Sequence, residues 1–106
     1  MKNVAVQYFE FWNNQDVDGL RTLFAEDVSL KDWDIEVAGL EEVIKANEAI
    51  FNELPDIKAE ILQLGMDEGV IFAQIAIHLN TNESISVVDV LNIEGTKIKS
   101  IQAYKC

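Results

Sequence analysis

Residues 84–106 read SISVVDVLNIEGTKIKSIQAYKC, two β-rich runs on either side of a short turn that contains Gly95. This arrangement is typical of a β-hairpin. Successive side chains of a strand point to opposite faces, so Asp89 shares an apolar face with Val87 and Leu91. The opposite face carries Ser86 and Asn92 and is more polar, which favours burial of the face that holds Asp89.

A carboxylate among apolar neighbours is costly unless it is paired or neutralised. Desolvation favours the protonated form and raises the pKa of the carboxyl group, which can then donate a hydrogen bond. Asp89 is therefore the first candidate for chemistry. Two other interpretations stay open, namely an ion pair with a lysine of the next strand and a solvated position for this face.

Composition limits the classes of function. The 106 residues are enough for one domain over residues 1–106, with 49% hydrophobic residues and no need of a metal or disulfides to fold. A formal net charge of −11 argues against nucleic acids and anionic membranes as partners. The single cysteine, Cys106, indicates a reducing, cytoplasmic compartment, and the single histidine excludes a His-rich metal site.

The first half of the chain has helical periodicity. Residues 3–15 place Val4, Tyr8, Phe11 and Trp12 on one stripe, which turns the Tyr8 hydroxyl inward, either to a backbone carbonyl or to a functional site. Asp16 is a plausible N-cap for a second helix to about residue 25. A third helix is predicted over residues 40–53, with the polar Asn47 on its apolar stripe.

The remaining segments alternate as strands over residues 28–33, 57–64 and 70–79. Asp32 is in phase with Val28 and Leu30, so it lies either at a pocket rim or at a turn that it caps. The strand over 70–79 is apolar on both faces, and three short helices cannot cover both. We therefore expect a homodimer through the sheet. His78, on this strand, is a possible base, with a core or rim histidine as the alternative.

The order helix, helix, strand, helix and four-stranded meander resembles the nuclear transport factor 2-like superfamily. The stretch QYFEFWNNQDVDGLRTLFAEDVSLKDW (7–33) is similar to the front half of a bacterial ketosteroid isomerase, and SVVDVLNIEGTKIKSIQAYK (86–105) to its last two strands. The terminal hairpin and the FAEDV element also resemble SnoaL-like proteins with other activities. The resemblance implies an α+β, cone-shaped, cystatin-like fold, with three N-terminal helices packed on a curved, mainly antiparallel mixed sheet.

The resemblance also implies an allylic isomerase that needs no cofactor and no metal. Its general base falls on Asp32, and its two oxyanion-hole donors fall on Tyr8 and a protonated Asp89. The pocket walls implied for a small apolar or moderately polar ligand are Trp12, Leu30, Asn47, Phe51, Phe72, Gln74, His78, Val87, Ile101 and Ala103.

The sequence also departs from the isomerase pattern. The tyrosines that support the helix-one tyrosine fall on Phe24 and Asn47, and the proline that follows the base falls on Trp33. We expect a smaller or more polar ligand than a steroid. The alternatives are a SnoaL-like binding protein or non-catalytic dimer, and a cyclase or dehydratase that uses His78 or Asp32 as its acid–base group.

Overall fold

The structure, a computed structural model, describes residues 2–106. The described residues form three helices and six strands in the order α1 (Lys2–Asn13), α2 (Val17–Leu23), β1 (Phe24–Lys31), β2 (Glu36–Ala38), α3 (Leu40–Glu53), β3 (Lys58–Asp67), β4 (Val70–His78), β5 (Ser84–Glu94) and β6 (Lys97–Lys105).

The strands form a single mixed sheet in the order β2-β1-β6-β5-β4-β3. Only the β1–β6 pair is parallel, and every other neighbouring pair is antiparallel. Helix α1 contacts β3 and β4, whereas α3 contacts β1 and β2, so the helices cover one face of the sheet. We call this the inner face and the opposite one the outer face. The predicted α+β, cystatin-like architecture is confirmed.

Helix α1 buries Ala5, Tyr8, Phe9 and Trp12 against the sheet, as its periodicity predicts. It ends at Asn13, and Asp16 then caps α2 by accepting a hydrogen bond from the Gly19 amide at 2.9 Å. Helix α2 is shorter than predicted, because the backbone becomes extended at Phe24 and enters β1. Helix α3 has the predicted bounds.

Two features of the sheet depart from simple alternation. In β6 the register skips Lys99, so that Ile98 and Ile101 are both buried and Lys99 turns outward to pair with Asp27. In β3 the register skips Leu62, which is exposed. Each is a β-bulge, in which an extra residue changes the face that the following side chains occupy.

Strand β2 was not predicted. Its three residues, Glu36–Ala38, pair with Ser29–Lys31 at the end of β1. The segment is too short to show alternation, and only Val37 is apolar and partly buried. The strand nevertheless matters for the site, because it fixes the 32–35 turn that precedes it.

Candidate active site

A cavity of about 480 Å³ lies between α1, α3 and the inner face of the sheet. This is within the range of small-molecule sites, ~300–1,000 Å³. Its floor is made of buried side chains from α1, β5 and β6, and its mouth lies beside the 32–35 turn and the end of α3. The lining residues are Tyr8, Phe9, Trp12, Leu30, Asp32, Trp33, Asp34, Ile35, Asn47, Ile50, Glu53, Leu54, Ile57, Ala59, Ile75, Ile77, Leu79, Ile85, Asp89, Ile101, Ala103 and Lys105.

Asp89 lies on the cavity floor at the centre of β5, opposite Ala73 of β4 and Ala103 of β6. The residue is only 6% exposed, its side chain lines the cavity, and its carboxyl group takes part in none of the side-chain hydrogen bonds found within residues 2–106. Burial, followed by the negative charge of Asp32, raises the pKa of Asp89 to about 7. Below about pH 7 this carboxyl group is therefore mostly protonated and can donate a hydrogen bond.

Tyr8 reaches the same cavity from α1. It is 4% exposed, and its ring packs edge-on against Phe9 at a centroid distance of 4.9 Å. Burial first, and the charge of Asp89 second, raise the pKa of Tyr8 well above its ordinary value. The Tyr8 hydroxyl takes part in none of the side-chain hydrogen bonds found within residues 2–106, and the residue lines the cavity, which leaves this donor available to a ligand.

Asp32 follows β1 directly and is half-buried at the cavity wall. Its Oδ1 accepts hydrogen bonds from the backbone amides of Asp34 and Ile35, each at 2.7 Å. Both interpretations of this residue therefore apply, because Oδ1 caps the turn and the side chain also lines the cavity. Within the described chain, Oδ2 has no hydrogen-bond partner and can accept a proton.

The three polar residues form one electrostatic unit. The Asp32 carboxylate raises the pKa of Asp89, and Asp89 in turn raises the pKa of Tyr8. The cavity thus has two neutral donors on its floor and a carboxylate on its wall, which is an arrangement suited to proton transfer beside a carbonyl group.

Asn47 has a supporting position. Its Oδ1 accepts a hydrogen bond from Trp12 Nε1 at 3.0 Å, and its Nδ2 donates to the Val43 carbonyl at 2.9 Å. Trp12 also packs edge-on against Phe51, at a centroid distance of 5.3 Å. The amide therefore fixes the indole that forms one cavity wall, and its two hydrogen bonds go to Trp12 and Val43 and not to Tyr8.

The structure places Trp12, Leu30, Asn47, Ile101 and Ala103 on the cavity wall, where the sequence predicted them. Phe51 and Val87 are buried behind the wall and do not line it.

The prediction that Phe72, Gln74 and His78 line the cavity does not hold. All three project from the outer face of β4, where Phe72 is 43% exposed and His78 Nε2 lies 2.9 Å from Glu60 Oε1. The wall is formed instead by the other face of this strand, through Ile75 and Ile77.

Sequence reasoning missed most of the cavity mouth. Trp33, Asp34, Glu53 and Lys105 line it, and Lys105 Nζ lies 5.6 Å from the centre of the Trp33 ring. Charged residues next to a strand end or a helix end have the pattern of a solvated surface, so no sequence signal distinguishes them.

Among residues 2–106, no group of three or more His, Cys, Asp or Glu is placed to hold a metal ion. No helix of the described chain is long and apolar enough to cross a membrane.

Comparison with known proteins identifies the family. The SnoaL-like domain matches residues 5–101, and the chain belongs to this family within the nuclear transport factor 2-like superfamily. Among curated proteins, none matches the chain.

Solved structures with the same fold carry different functional descriptions. A candidate ketosteroid isomerase from Kribbella flavida superposes with a TM-score of 0.86 at 19% identity, over 98% of this chain and 76% of that one. A candidate SnoaL-like polyketide cyclase from Jannaschia sp. gives 0.86 at 13% identity, over 97% and 83%. An LEH-like epoxide hydrolase from M. tuberculosis gives a TM-score of 0.84 at 12% identity, over 98% of this chain and 80% of that one. At these identities the similarity shows a shared fold.

Proposed function

We propose that the protein is a cofactor-independent isomerase that moves a proton along a small enolisable carbonyl compound. The observation that carries this proposal is the meeting of Tyr8, Asp32 and Asp89 at one cavity, where Tyr8 and Asp89 are both buried. We also propose a cytoplasmic location, because Cys106, the single cysteine, is a free thiol and such thiols are typical of reducing compartments.

The reaction follows from the positions of the three groups. The substrate carbonyl oxygen accepts hydrogen bonds from the Tyr8 hydroxyl and the protonated Asp89. Asp32 Oδ2 removes a proton from the adjacent carbon, and the electron pair of that C–H bond moves onto the carbonyl oxygen as an enolate. The two buried donors stabilise the developing charge at the floor of the cavity. Asp32 then returns the same proton to the carbon one allylic position further on, so the enzyme ends unchanged.

A phenol tests the oxyanion site, because its oxygen resembles that of an enolate. We expect para-ethylphenol to bind in the cavity, and Tyr8→Phe or Asp89→Ala to weaken binding by about 10- to 100-fold, the worth of one strong hydrogen bond. Calorimetric titration gives the dissociation constants. Tyr104→Phe is the matched control, since Tyr104 is 51% exposed on the outer face, away from the cavity. Equal binding by Tyr8→Phe and Tyr104→Phe would contradict the assignment of Tyr8.

A second function is a ligand-binding protein without catalysis. The observation that favours it is the engagement of Asp32 Oδ1 by two backbone amides, which is the arrangement of a residue that caps a turn. Phenol binding without any conversion of a β,γ-unsaturated ketone would support this alternative. A cyclase that depends on His78 is not favoured, because this side chain projects from the outer face.

We also propose a homodimer through the outer face of the sheet. Phe72, Val88, Val90 and Tyr104 form an uncharged patch there, although a quarter of the chain is charged. Stable dimers bury about 800 Å² on each partner, which a sheet face can supply. We expect sedimentation to give a dimer for the wild type and a monomer for Phe72→Glu. Thr96→Glu, in the exposed β5–β6 turn, should stay dimeric. A wild-type monomer at micromolar concentration would exclude this dimer.

A further inference from the structure

The inner face of the sheet differs on the two sides of Asp89. The register places Ala73 of β4 and Ala103 of β6 directly opposite Asp89, so small side chains flank its carboxyl group on both sides. Asp32 follows the last residue of β1, which is the strand beyond β6. The proposed base therefore lies on the β1 side of Asp89, whereas the other side is formed by β4 and β3.

The side formed by β4 and β3 is aliphatic. Ile77 of β4 pairs with Ile85 of β5 and with Ala59 of β3, and these three residues line the cavity together with Ile75. We call these four residues the aliphatic wall. Ile85 is four residues from Asp89 along β5, which corresponds to about 13 Å of strand. Within the described strands β3 and β4, no charged side chain lines the cavity.

The aliphatic wall is incompletely covered by the protein. Ile75 is 1% exposed, whereas Ile77 and Ile85 are only half-buried, although both lie on the face that the helices cover. From α3, Ile50 and Leu54 also line the cavity and are also half-buried. Apolar side chains left partly open to solvent favour a ligand group that is itself apolar, because covering them removes apolar surface from water.

We infer that the substrate is a ketone whose carbonyl group separates two different substituents. The substituent that loses the proton lies on the β1 side, beside Asp32. The other is an apolar tail of several carbons, and it lies along Ile77 and Ile85. The position of the tail rests on the aliphatic wall, whereas the position of the carbonyl group between tail and base rests on the proposed function.

A series of para-alkylphenols tests the tail site without any need of turnover. We expect affinity to rise from para-ethylphenol through para-butylphenol to para-hexylphenol, by about three- to fourfold for each methylene group that the wall covers. The control ligand is para-(2-methoxyethoxy)phenol, which has the length of para-pentylphenol but contains ether oxygens. It should bind clearly more weakly than para-pentylphenol, because the wall offers its oxygens no hydrogen bond. Calorimetric titration gives the dissociation constants.

A double variant locates the tail. Ile77→Thr with Ile85→Thr removes apolar surface from the wall and adds hydroxyl groups, so the gain per methylene should fall to about twofold or less. The loss of affinity should be greatest for para-hexylphenol and smallest for para-ethylphenol. Ile61→Thr with Ile93→Thr is the matched control, because it makes the same change at half-buried positions that do not line the cavity. The wild-type series decides the inference even if the double variant does not fold.

Two isomeric ketones test the orientation of the substrate. Allyl hexyl ketone carries its tail on the side of the carbonyl group away from the reacting carbon, whereas methyl 2-octenyl ketone carries it beyond the double bond. We expect kcat/KM to be about tenfold higher for allyl hexyl ketone, after division by the rate of each ketone in hydroxide, because only this isomer places its tail on the wall. The double variant Ile77→Thr with Ile85→Thr should lose most of this preference.

The outcomes distinguish this inference from the proposed function. If affinity does not rise with tail length but para-ethylphenol binding depends on Tyr8, the tail site is wrong and the oxyanion site stands. If affinity rises with tail length in the wild type and not in the double variant, but no phenol depends on Tyr8, the tail site stands and the oxyanion site is wrong. Equal efficiency with the two ketones, or a preference for methyl 2-octenyl ketone, would overturn the orientation. If no phenol binds, both sites are wrong.

Discussion

Replacement of Asp89 by asparagine is expected to stabilise the protein by up to about 4 kcal/mol at pH values above 7, less the cost of burying the amide. The reason is the pKa of Asp89, which is raised from 3.8 to about 7 in the folded state. Above this value the folded protein holds a buried carboxylate that the unfolded chain exposes to water. Asparagine has nearly the same shape and no charge, so this penalty disappears.

The direction of the pH dependence follows from proton binding. Below the unfolded pKa both states hold the proton, and the contribution of Asp89 to stability is fully present. Between 3.8 and about 7 the folded state keeps a proton that the unfolded state has lost, so the free energy of unfolding decreases as pH rises. Above about 7 both states are ionised at this position and its contribution no longer changes.

Urea unfolding at a series of pH values measures this effect. The wild type should lose stability from pH 4 to 7 through Asp89, and Asp89→Asn should lack that part of the slope. Glu48→Gln, at an exposed position of α3, should retain the wild-type slope. The same slope in Asp89→Asn would show that another group titrates. In Asp32→Asn most of the slope should remain, because burial is a larger cause of the pKa shift than the charge of Asp32.

Replacement of Asp32 by asparagine is expected to reduce turnover of a small β,γ-unsaturated ketone by about 10²- to 10⁴-fold, the contribution of a general base. The asparagine oxygen can still accept hydrogen bonds from the amides of Asp34 and Ile35, so the turn should keep its shape. The side chain can no longer take the proton from carbon. Affinity for para-ethylphenol should change little, because the two donors on the cavity floor remain.

The measurement is the appearance of the conjugated enone by its ultraviolet absorbance. Asp27→Asn is the matched control, since it makes the same substitution on the neighbouring strand β1 at an exposed position that pairs with Lys99. This variant should retain wild-type turnover. Unchanged turnover in Asp32→Asn would remove Asp32 as the base, and loss of turnover in Asp27→Asn as well would indicate a general loss of structure.

Much of the fold and the candidate trio could be predicted from periodicity. The alternation of β5 placed Asp89 with Val87 and Leu91, and burial of all three agrees with it. The helical stripe of α1 turned Tyr8 inward. These predictions succeeded because each element has one face that is clearly more apolar than the other, or a break such as Pro55 that ends it.

The errors arose where both faces of an element are apolar. Strand β4 divides into Ile71, Ala73, Ile75 and Ile77 on one face and Val70, Phe72, Gln74, Ala76 and His78 on the other. Alternation separates the two sets without showing which one faces the helices. The choice depends on the register with β5, where Ala73 pairs with Asp89 and the two must share a face.

The bulges were a second source of error, because they change the phase within a strand. Simple alternation groups Lys97, Lys99 and Lys105 on one side of β6. Lys99 is the extra residue of the bulge and has no partner in β5, and its ammonium group pairs with Asp27. Lys105 instead reaches the cavity mouth. The alternation of side chains along one strand cannot predict a bulge, because a bulge arises from the pairing of that strand with another segment.

The bulge at Leu62 has a consequence for how copies of this chain can associate. Strand β3 is ten residues long and has no neighbour on one side, which exposes a row of backbone amides and carbonyls that could template a further strand. The irregular residue interrupts that row near its middle, and Lys58, Glu60 and Asp67 place charges along it. Lateral growth into a continuous ribbon of sheets is thereby discouraged, and stacking of whole sheets stays open as the route to assembly.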